Sequence, residues 1–183
     1  MSSEIPDHIK KLLKDRNQGI KLDLACGASK QSNDWVGIDI LPFHGVDIIH
    51  DIEEQPFPLP DECCSVILAS HILEHINPAK FGFINLMNEL WRVMKPNGEL
   101  MISVPYAGSK GYWQDPTHCN PIIQDTFFYF DPLAVGGGLY RFYEPKPWKI
   151  DDSRFFWQPH GNMELVLMKR VDDPSYHKLK LNG

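Results

Sequence analysis

The run Ser65-Val66-Ile67-Leu68-Ala69 is almost wholly apolar and shows no alternation. A strand with one wet face alternates polar and apolar residues. A short uniform run reads instead as a strand buried on both faces, as inner strands of parallel α/β sheets are. Such a strand needs a neighbour on each edge and cover over each face, and the rest of the chain has to supply them.

Candidates for the neighbours lie on both sides of the run. Upstream, Ile20 to Cys26 alternates and leads into Gly27, Trp35 to Ile40 passes through Asp39, and Val46 to Ile49 runs into His50-Asp51. Downstream, Glu99 to Val104 reads as a strand, and residues 155–170 as a terminal strand pair around His160-Gly161-Asn162. Pro56, Pro58 and Pro60 exclude regular structure from 53–64. Phe81, Ile84, Met87, Trp91 and Met94 recur at helical spacing after Asn77-Pro78, and Lys95-Pro96-Asn97-Gly98 stops that helix. A short helix over 4–16 precedes the first strand, closed by Asn17-Gln18-Gly19. Strands alternating with helical segments predict a mainly parallel α/β sheet with helices on both faces and an antiparallel pair at its C-terminal end.

Composition narrows the class of partner. The 183 residues suit one domain; 43% are hydrophobic and 23% charged, so the chain is neither disordered nor fibrous. The net charge of −6 argues against a nucleic-acid coat protein. No apolar run reaches the roughly 20 residues of a membrane helix. Four cysteines at irregular spacing do not make a disulfide scaffold, and the N-terminus carries no signal-peptide core, so a cytoplasmic protein is expected.

In a sheet of this kind ligands sit beyond the carboxyl ends of the strands, where the strand order reverses. Here those ends carry Cys26-Gly27, Asp39, Asp51, Ser70-His71 and Val104-Pro105. Gly27 lets backbone pass close to a ligand. Asp39 can accept from both hydroxyls of a ribose, and Asp51 from an exocyclic amine, with Ile52 offering an N–H and an apolar face to a purine. An acid at one strand end is often only a solvated loop residue. The ordered set is what points to a nucleoside ligand.

These pieces resemble the class I S-adenosylmethionine-dependent methyltransferases, in particular a small branch with a Leu-Glu-His-Ile-like signature. The resemblance rests on Leu22-Asp23-Leu24-Ala25-Cys26-Gly27, Gly37-Ile38-Asp39-Ile40, His50-Asp51-Ile52 and Pro56-Phe57-Pro58-Leu59-Pro60-Asp61. It continues with Ala69-Ser70-His71-Ile72-Leu73-Glu74-His75-Ile76, then Glu89 to Gly98 and Leu100 to Pro105. It implies a Rossmann-like seven-stranded sheet with S-adenosylmethionine across its carboxyl edge. Asp23, Ala25, Cys26 and Gly27 would lie towards the methionine part, Asp39 and Ile40 at the ribose, Asp51 and Ile52 at the adenine, and Ser70-His71 beside the methyl group.

The chain departs from that family in places. Ala25 and Ser29 stand where further loop glycines are usual, and Cys64-Ser65 where Phe-Asp commonly opens the fourth strand. Only residues 27–34 separate the first two strands, too few for a helical crossover, so a shortened first crossover is expected.

Methyl transfer asks the protein to align nucleophile, methyl and sulfur and to exclude water. A hydroxyl nucleophile also benefits from a base. His71, His75 and His118 are candidates, with His75 read as a packing residue. Tyr112-Trp113-Gln114-Asp115-Pro116-Thr117-His118 follows the fifth strand on the side where acceptors enter. His118 oriented by Asp115 is one reading of it, as base or acceptor anchor. A turn built by Asp115-Pro116 and Thr117 is the other.

Of 21 aromatic residues, 14 fall between Tyr106 and Trp157. They form a lid around Gly108, Gly111 and Gly136-Gly137-Gly138, or pack an insertion against the sheet, or both. The expected division is thus one domain, 1–183, with a cofactor core at 20–105, an aromatic-rich acceptor segment at 106–157 and terminal strands. An O or N nucleophile of a small-molecule or sugar-like acceptor is favoured over a protein, and nucleic acid is disfavoured.

Two rivals remain at this level. His71-Ile72-Leu73-Glu74-His75 matches the inverted zinc-peptidase motif, with Glu144 as a third ligand, but that motif needs one continuous helix. Nothing else in the sequence requires a metal. The other rival is a non-catalytic subunit that kept the methyltransferase fold and lost the chemistry.

Overall fold

The computed structural model describes residues 5–14, 18–134 and 143–171. Asn17, Gly136-Gly137-Gly138, Tyr140, Arg141 and Phe142, on which the helix-end and lid readings also draw, lie outside them.

The described elements are α1 (Asp7–Lys14), β1 (Ile20–Leu24), β2 (Val36–Asp39), β3 (Ile48–Ile49), β4 (Cys64–Ser70), α2 (Gly82–Val93) and β5 (Met94–Pro105), followed by α3 (Lys110–Trp113), α4 (Gln124–Phe128), β6 (Trp148–Ile150), β7 (Phe156–Trp157) and β8 (Asn162–Lys169). They build an eight-stranded sheet in the order β3-β2-β1-β4-β5-β8-β6, with β7 paired to β8. The pairings from β3 to β5 are parallel, and those made by β8 antiparallel. The mixed sheet is as expected, with one strand more than seven because β6 and β7 both pair with β8.

The apolar run that opened the argument is β4, at the centre. It pairs with β1 on one edge and β5 on the other; Ile67 and Ala69 are fully buried, but Val66 and Leu68 on the opposite face are half-buried, so the two faces are less equally covered than the uniform apolar run predicts. β2 is buried at every position. On α2 the buried stripe is Phe83, Leu86, Met87, Leu90 and Val93. The expected stripe was off by a residue or two: Phe81 is 54% exposed, in a 3-10 turn over Ala79–Phe81 that precedes the helix. α2 gives way directly to β5 at Met94, one residue ahead of Lys95, which stands before Pro96 and is disfavoured in the helical region. The Lys95–Gly98 turn is absorbed as a register shift between β4 and β5.

Residues 25–63 contain no helix, so β1, β2, β3 and β4 are joined by loops alone. The shortened first crossover is therefore observed, and the two that follow it share the property. Side chains hold these loops where helices usually would. Lys30 Nζ meets Asp47 Oδ2 at 2.7 Å, and the same oxygen accepts from Gly37 N at 2.8 Å. A Cβ on Gly37 would come within 2.6 Å of Cys26 Sγ and 3.0 Å of Lys30 Cδ, so glycine lets the loop lie flat on β2. The proline-rich loop is tied to α2 by Glu89, which accepts from Phe57 N at 2.6 Å, and by Arg92, which donates to Leu59 O at 2.9 Å.

Candidate active site

The strand order reverses between β1 and β4, so the crevice to examine lies past Leu24 and Ser70. Both chains leave their strands through left-handed backbone: Ala25 has φ +52° and His71 has φ +54°. For residues with a Cβ this conformation costs about 1–3 kcal/mol each, and such strain gathers at functional sites. His71 is held there by its N–H, which donates to Ser103 O of β5 at 2.8 Å.

On the β1–β2 side the expected residues come together. Gly27 (φ +56°) donates its N–H to Asp39 Oδ2 at 2.8 Å, and Leu41 N donates to Oδ1 at 2.9 Å. Asp39 is buried, yet each oxygen keeps a second acceptor position. A Cβ built on Gly27 would meet no atom within 4 Å, so the space beside the turn is open. Asp23 is buried and accepts from Gln31 N at 2.7 Å. Burial raises its carboxyl above the usual range, against the lowering effects of that N–H and of Lys30. Burial, then the charges of Asp23 and Asp39, push the Cys26 thiol up to about 11.

Further along the edge, Asp51 caps its own turn through Glu53 N at 2.9 Å, and Ile52 is buried. Ile40, Leu41 and Phe43, just beyond Asp39, are exposed apolar side chains. Ser70 and His71 are exposed at the end of β4.

A cavity of about 480 Å³ opens on the β4–β5 side, lined among others by His71, Glu74, His75, Lys110, Asp115 and His118. His71 thus belongs both to the crevice and to this cavity. His118 Nδ1 lies 2.7 Å from Tyr112 O, which fixes the ring. Asp115 Oδ2 is 3.8 Å from His118 Nε2, an ion-pair distance rather than a hydrogen bond. Asp115 instead accepts at Oδ1 from Thr117 N (2.8 Å) and Thr117 Oγ1 (2.6 Å), so the turn reading of this segment is the one observed. Thr117 first, then His118 and His75, hold the Asp115 carboxyl below its usual range.

Residues 71–75 do not form the helix the zinc-peptidase motif needs, since only Leu73–His75 make a 3-10 turn. From the sequence, Glu74 belongs to that motif and to the Leu-Glu-His-Ile-like signature, without a site role, and His75 reads as packing. In the fold, Glu74 is fully buried at the cavity wall and His75 is half-buried against His118, with ring centroids 4.7 Å apart. Asn120, 45 residues away in the chain from His75 by their numbers, was also missed; its Nδ2 donates to Leu73 O at 2.9 Å.

Some of the aromatics pack into the core and others do not. Tyr112, Phe127, Phe130 and Trp148 are buried. Trp113, Tyr143, Phe156 and Trp157 stay exposed, and Trp157 meets Tyr106 edge to face at 5.0 Å.

A parallel sheet with a strained, acid-edged crevice at its switch point defines an α/β protein of the nucleotide-binding type. Residues 9–102 match the family described as "Methyltransferase domain", and the chain belongs to that family. It is a methyltransferase-domain protein. No curated protein matches it. Among solved structures it is similar to a SAM-dependent methyltransferase from Archaeoglobus fulgidus (15% identity, TM-score 0.58, covering 89% of this chain and 92% of that one). It is also similar to a 16S rRNA (adenine(1408)-N(1))-methyltransferase from Catenulisporales acidiphilia with cosubstrate SAM (16%, 0.56, 90% and 92%). A third is the N-methyltransferase NodS from Bradyrhizobium japonicum with S-adenosyl-l-homocysteine (10%, 0.54, 90% and 87%). At these identities the likeness is one of fold.

Proposed function

We propose that the chain is a single-domain cytoplasmic enzyme that methylates an O or N nucleophile of a small-molecule or sugar-like acceptor. Residues 20–105 form its cofactor platform and 106–157 its acceptor side. S-adenosylmethionine supplies an electrophilic methyl on a sulfonium. The open space beside Gly27 and the spare acceptor positions of Asp39 fit a nucleoside there. In this reading Asp39 and Ile40 hold the ribose, and Asp51 and Ile52 the adenine. Asp23 and the Ala25-Cys26-Gly27 turn face the methionine part, and Ser70-His71 lie beside the methyl group.

The observation that carries the acceptor assignment is the position of His71. It sits at the strand end on the crevice and also lines the 480 Å³ cavity, so the two spaces adjoin at one residue. Four imidazoles, from His71, His75, His118 and His160, line the cavity together with Glu74, Lys110 and Asp115, which suits a hydroxylated or aminated metabolite. The net charge of −6 supports a small acceptor over RNA. No helix among the described residues is long and apolar enough to cross a membrane. His118, held by Tyr112 with Asp115 alongside, is the group proposed to anchor the acceptor or accept its proton.

Calorimetric titration with S-adenosylmethionine tests the platform. Turnover against a metabolite panel, read as S-adenosylhomocysteine release, tests the acceptor. No binding of S-adenosylmethionine would leave the non-catalytic subunit reading, and full turnover by His118→Ala would remove His118 from the chemistry.

A further inference from the structure

We propose that Glu74, His75 and His118 bind one divalent transition-metal ion at the wall of the cavity. The sequence reading saw no need for a metal, and the peptidase-like set of His71, His75 and Glu144 is not the one assembled. One ligand atom from each of Glu74, His75 and His118 lies within 4.8 Å of the others. Donors bound at about 2.1 Å to a shared ion stand about 3–4 Å apart, so small side-chain rotations close the set.

Three independent features favour an ion over a chance gathering. First, Glu74 is fully buried and neither of its oxygens accepts a hydrogen bond. Its ion-pair contacts, to His71 Nδ1 at 3.4 Å and His118 Nε2 at 4.0 Å, are both beyond good hydrogen-bond reach. A carboxylate removed from water with only such long contacts costs several kcal/mol, and a cation relieves that cost.

Second, hydrogen bonds decide which nitrogen each imidazole can offer to an ion. His118 Nδ1 faces a carbonyl oxygen, which can only accept, so that nitrogen carries the proton and Nε2 keeps its lone pair towards Glu74. The single hydroxyl proton of Thr117 goes to Asp115, so towards His75 Nδ1, 3.1 Å away, Thr117 is an acceptor. His75 is thereby protonated at Nδ1 and left with Nε2 as its free donor. A carbonyl on one histidine and a carboxylate-backed hydroxyl on the other are the outer-shell partners that metal-ligating histidines carry.

Third, the two segments that bring the ligands are locked together before any ion arrives. Glu74 O accepts from both Cys119 N and Asn120 N at 3.0 Å, Asn120 Nδ2 donates to Leu73 O, and Cys119 Sγ donates to His75 O at 3.2 Å. His118 is held opposite Glu74 by this seam.

Two imidazoles and a carboxylate suit Zn²⁺, Co²⁺, Mn²⁺ or Fe²⁺ better than Mg²⁺ or Ca²⁺, which take all-oxygen sets. The cavity side of the set is open, leaving positions for an oxygen of the acceptor. That role rests on reading the cavity as the acceptor site, and with an ion bound His118 anchors the acceptor through the metal and no longer accepts its proton; the metal site itself does not rest on that reading.

The test is titration of the untagged, chelator-stripped full chain with Co²⁺ alone, followed by visible absorption, with Zn²⁺ calorimetry in parallel. The expected result is saturation at one equivalent, weakened about 10–100-fold or more by His118→Ala and Glu74→Gln. Because Glu74 is buried, Thr117→Val provides a variant at an exposed residue. It frees the His75 ring and should weaken binding about tenfold with an unchanged melting profile. No saturable binding below millimolar Co²⁺ overturns the inference, as does stoichiometric binding indifferent to His118→Ala and Thr117→Val. Failure to bind S-adenosylmethionine by a chain that still takes one Co²⁺ would refute the functional reading and leave the metal site standing.

Discussion

The N–H of Gly27 donates to Asp39 Oδ2 at 2.8 Å, so the acid that closes β2 also holds the turn that closes β1. The two residues can be separated by what each substitution disturbs. Gly27→Ala places a methyl where the protein has no atom within 4 Å, and the stability cost is that of φ +56° alone, about 1–2 kcal/mol. A ligand in that space would meet the methyl, so S-adenosylmethionine affinity should fall by tenfold or more on the order of one lost favourable contact. Melting and calorimetry together check this. Affinity that falls no further than the unfolded fraction explains would remove Gly27 from the ligand's surface.

Asp39→Ala strips partners from two backbone N–H groups and should cost about 1–3 kcal/mol in urea unfolding. It should also abolish S-adenosylmethionine binding at concentrations where the wild-type chain saturates. Retained binding would move the ribose site elsewhere.

The central strands were legible because burial dictates them. β1, β2 and β4 carry apolar side chains that the core requires, and Leu22, Ile38 and Ile67 are fully buried. The acids at the strand ends were legible because order and spacing survive folding. β6 was not. Its three residues are placed by pairing with β8 and by the burial of Trp148, and neither leaves a periodic signal in so short a segment. At the cavity wall the sequence leaves two readings open. Asp115 and His118, three apart, invite a local pair, but the hydroxyl of Thr117 takes the carboxylate's hydrogen bond and leaves His118 at ion-pair distance. The Glu74-His75 turn also meets His118, brought by a seam of hydrogen bonds with no local signature.

That seam gives a stability prediction. Asn120→Ala leaves the carbonyl of Leu73 without its side-chain donor in a buried setting, at a cost of about 1–3 kcal/mol. For a chain of this size the melting temperature should fall by roughly 2–4 °C per kcal/mol. An unchanged melting temperature would show that the turn and the loop are held by their backbone bonds alone.

The loop that replaces the first crossover helix should show its clamp in acid. Burial alone would raise the Asp47 carboxyl, but Lys30, the Gly37 N–H and His8 outweigh it and hold it below the usual range. A depressed folded-state pKa contributes stability that is complete above the unfolded value of about 3.9 and disappears as pH falls through the lower folded value. Asp47→Asn should therefore unfold at lower urea than wild type at pH 7, by about 1–2 kcal/mol. The gap should narrow progressively below pH 4. A gap that stays constant down to the acid transition would mean that Asp47 acts through shape and not through charge.

Cys26 provides a reporter at the cofactor crevice. With its thiol pushed up to about 11, the thiolate fraction at pH 8 is about one in a thousand, against about a quarter for an ordinary thiol near 8.5. The few thiolates present are intrinsically more nucleophilic, by about tenfold for a rise of this size. Alkylation should then run about 20-fold slower than at an unperturbed, equally accessible thiol. Because Asp39 is one of the charges that raise it, Asp39→Asn should speed the reaction at pH 8. The rate should climb about tenfold per pH unit until pH approaches the thiol's own value. Mass spectrometry of iodoacetamide-treated protein, resolving Cys26 from the exposed Cys119, follows both effects. S-adenosylmethionine seated against the Ala25-Cys26-Gly27 turn should slow Cys26 further and leave Cys119 unaffected, whereas equal slowing of both would point to a change away from the crevice.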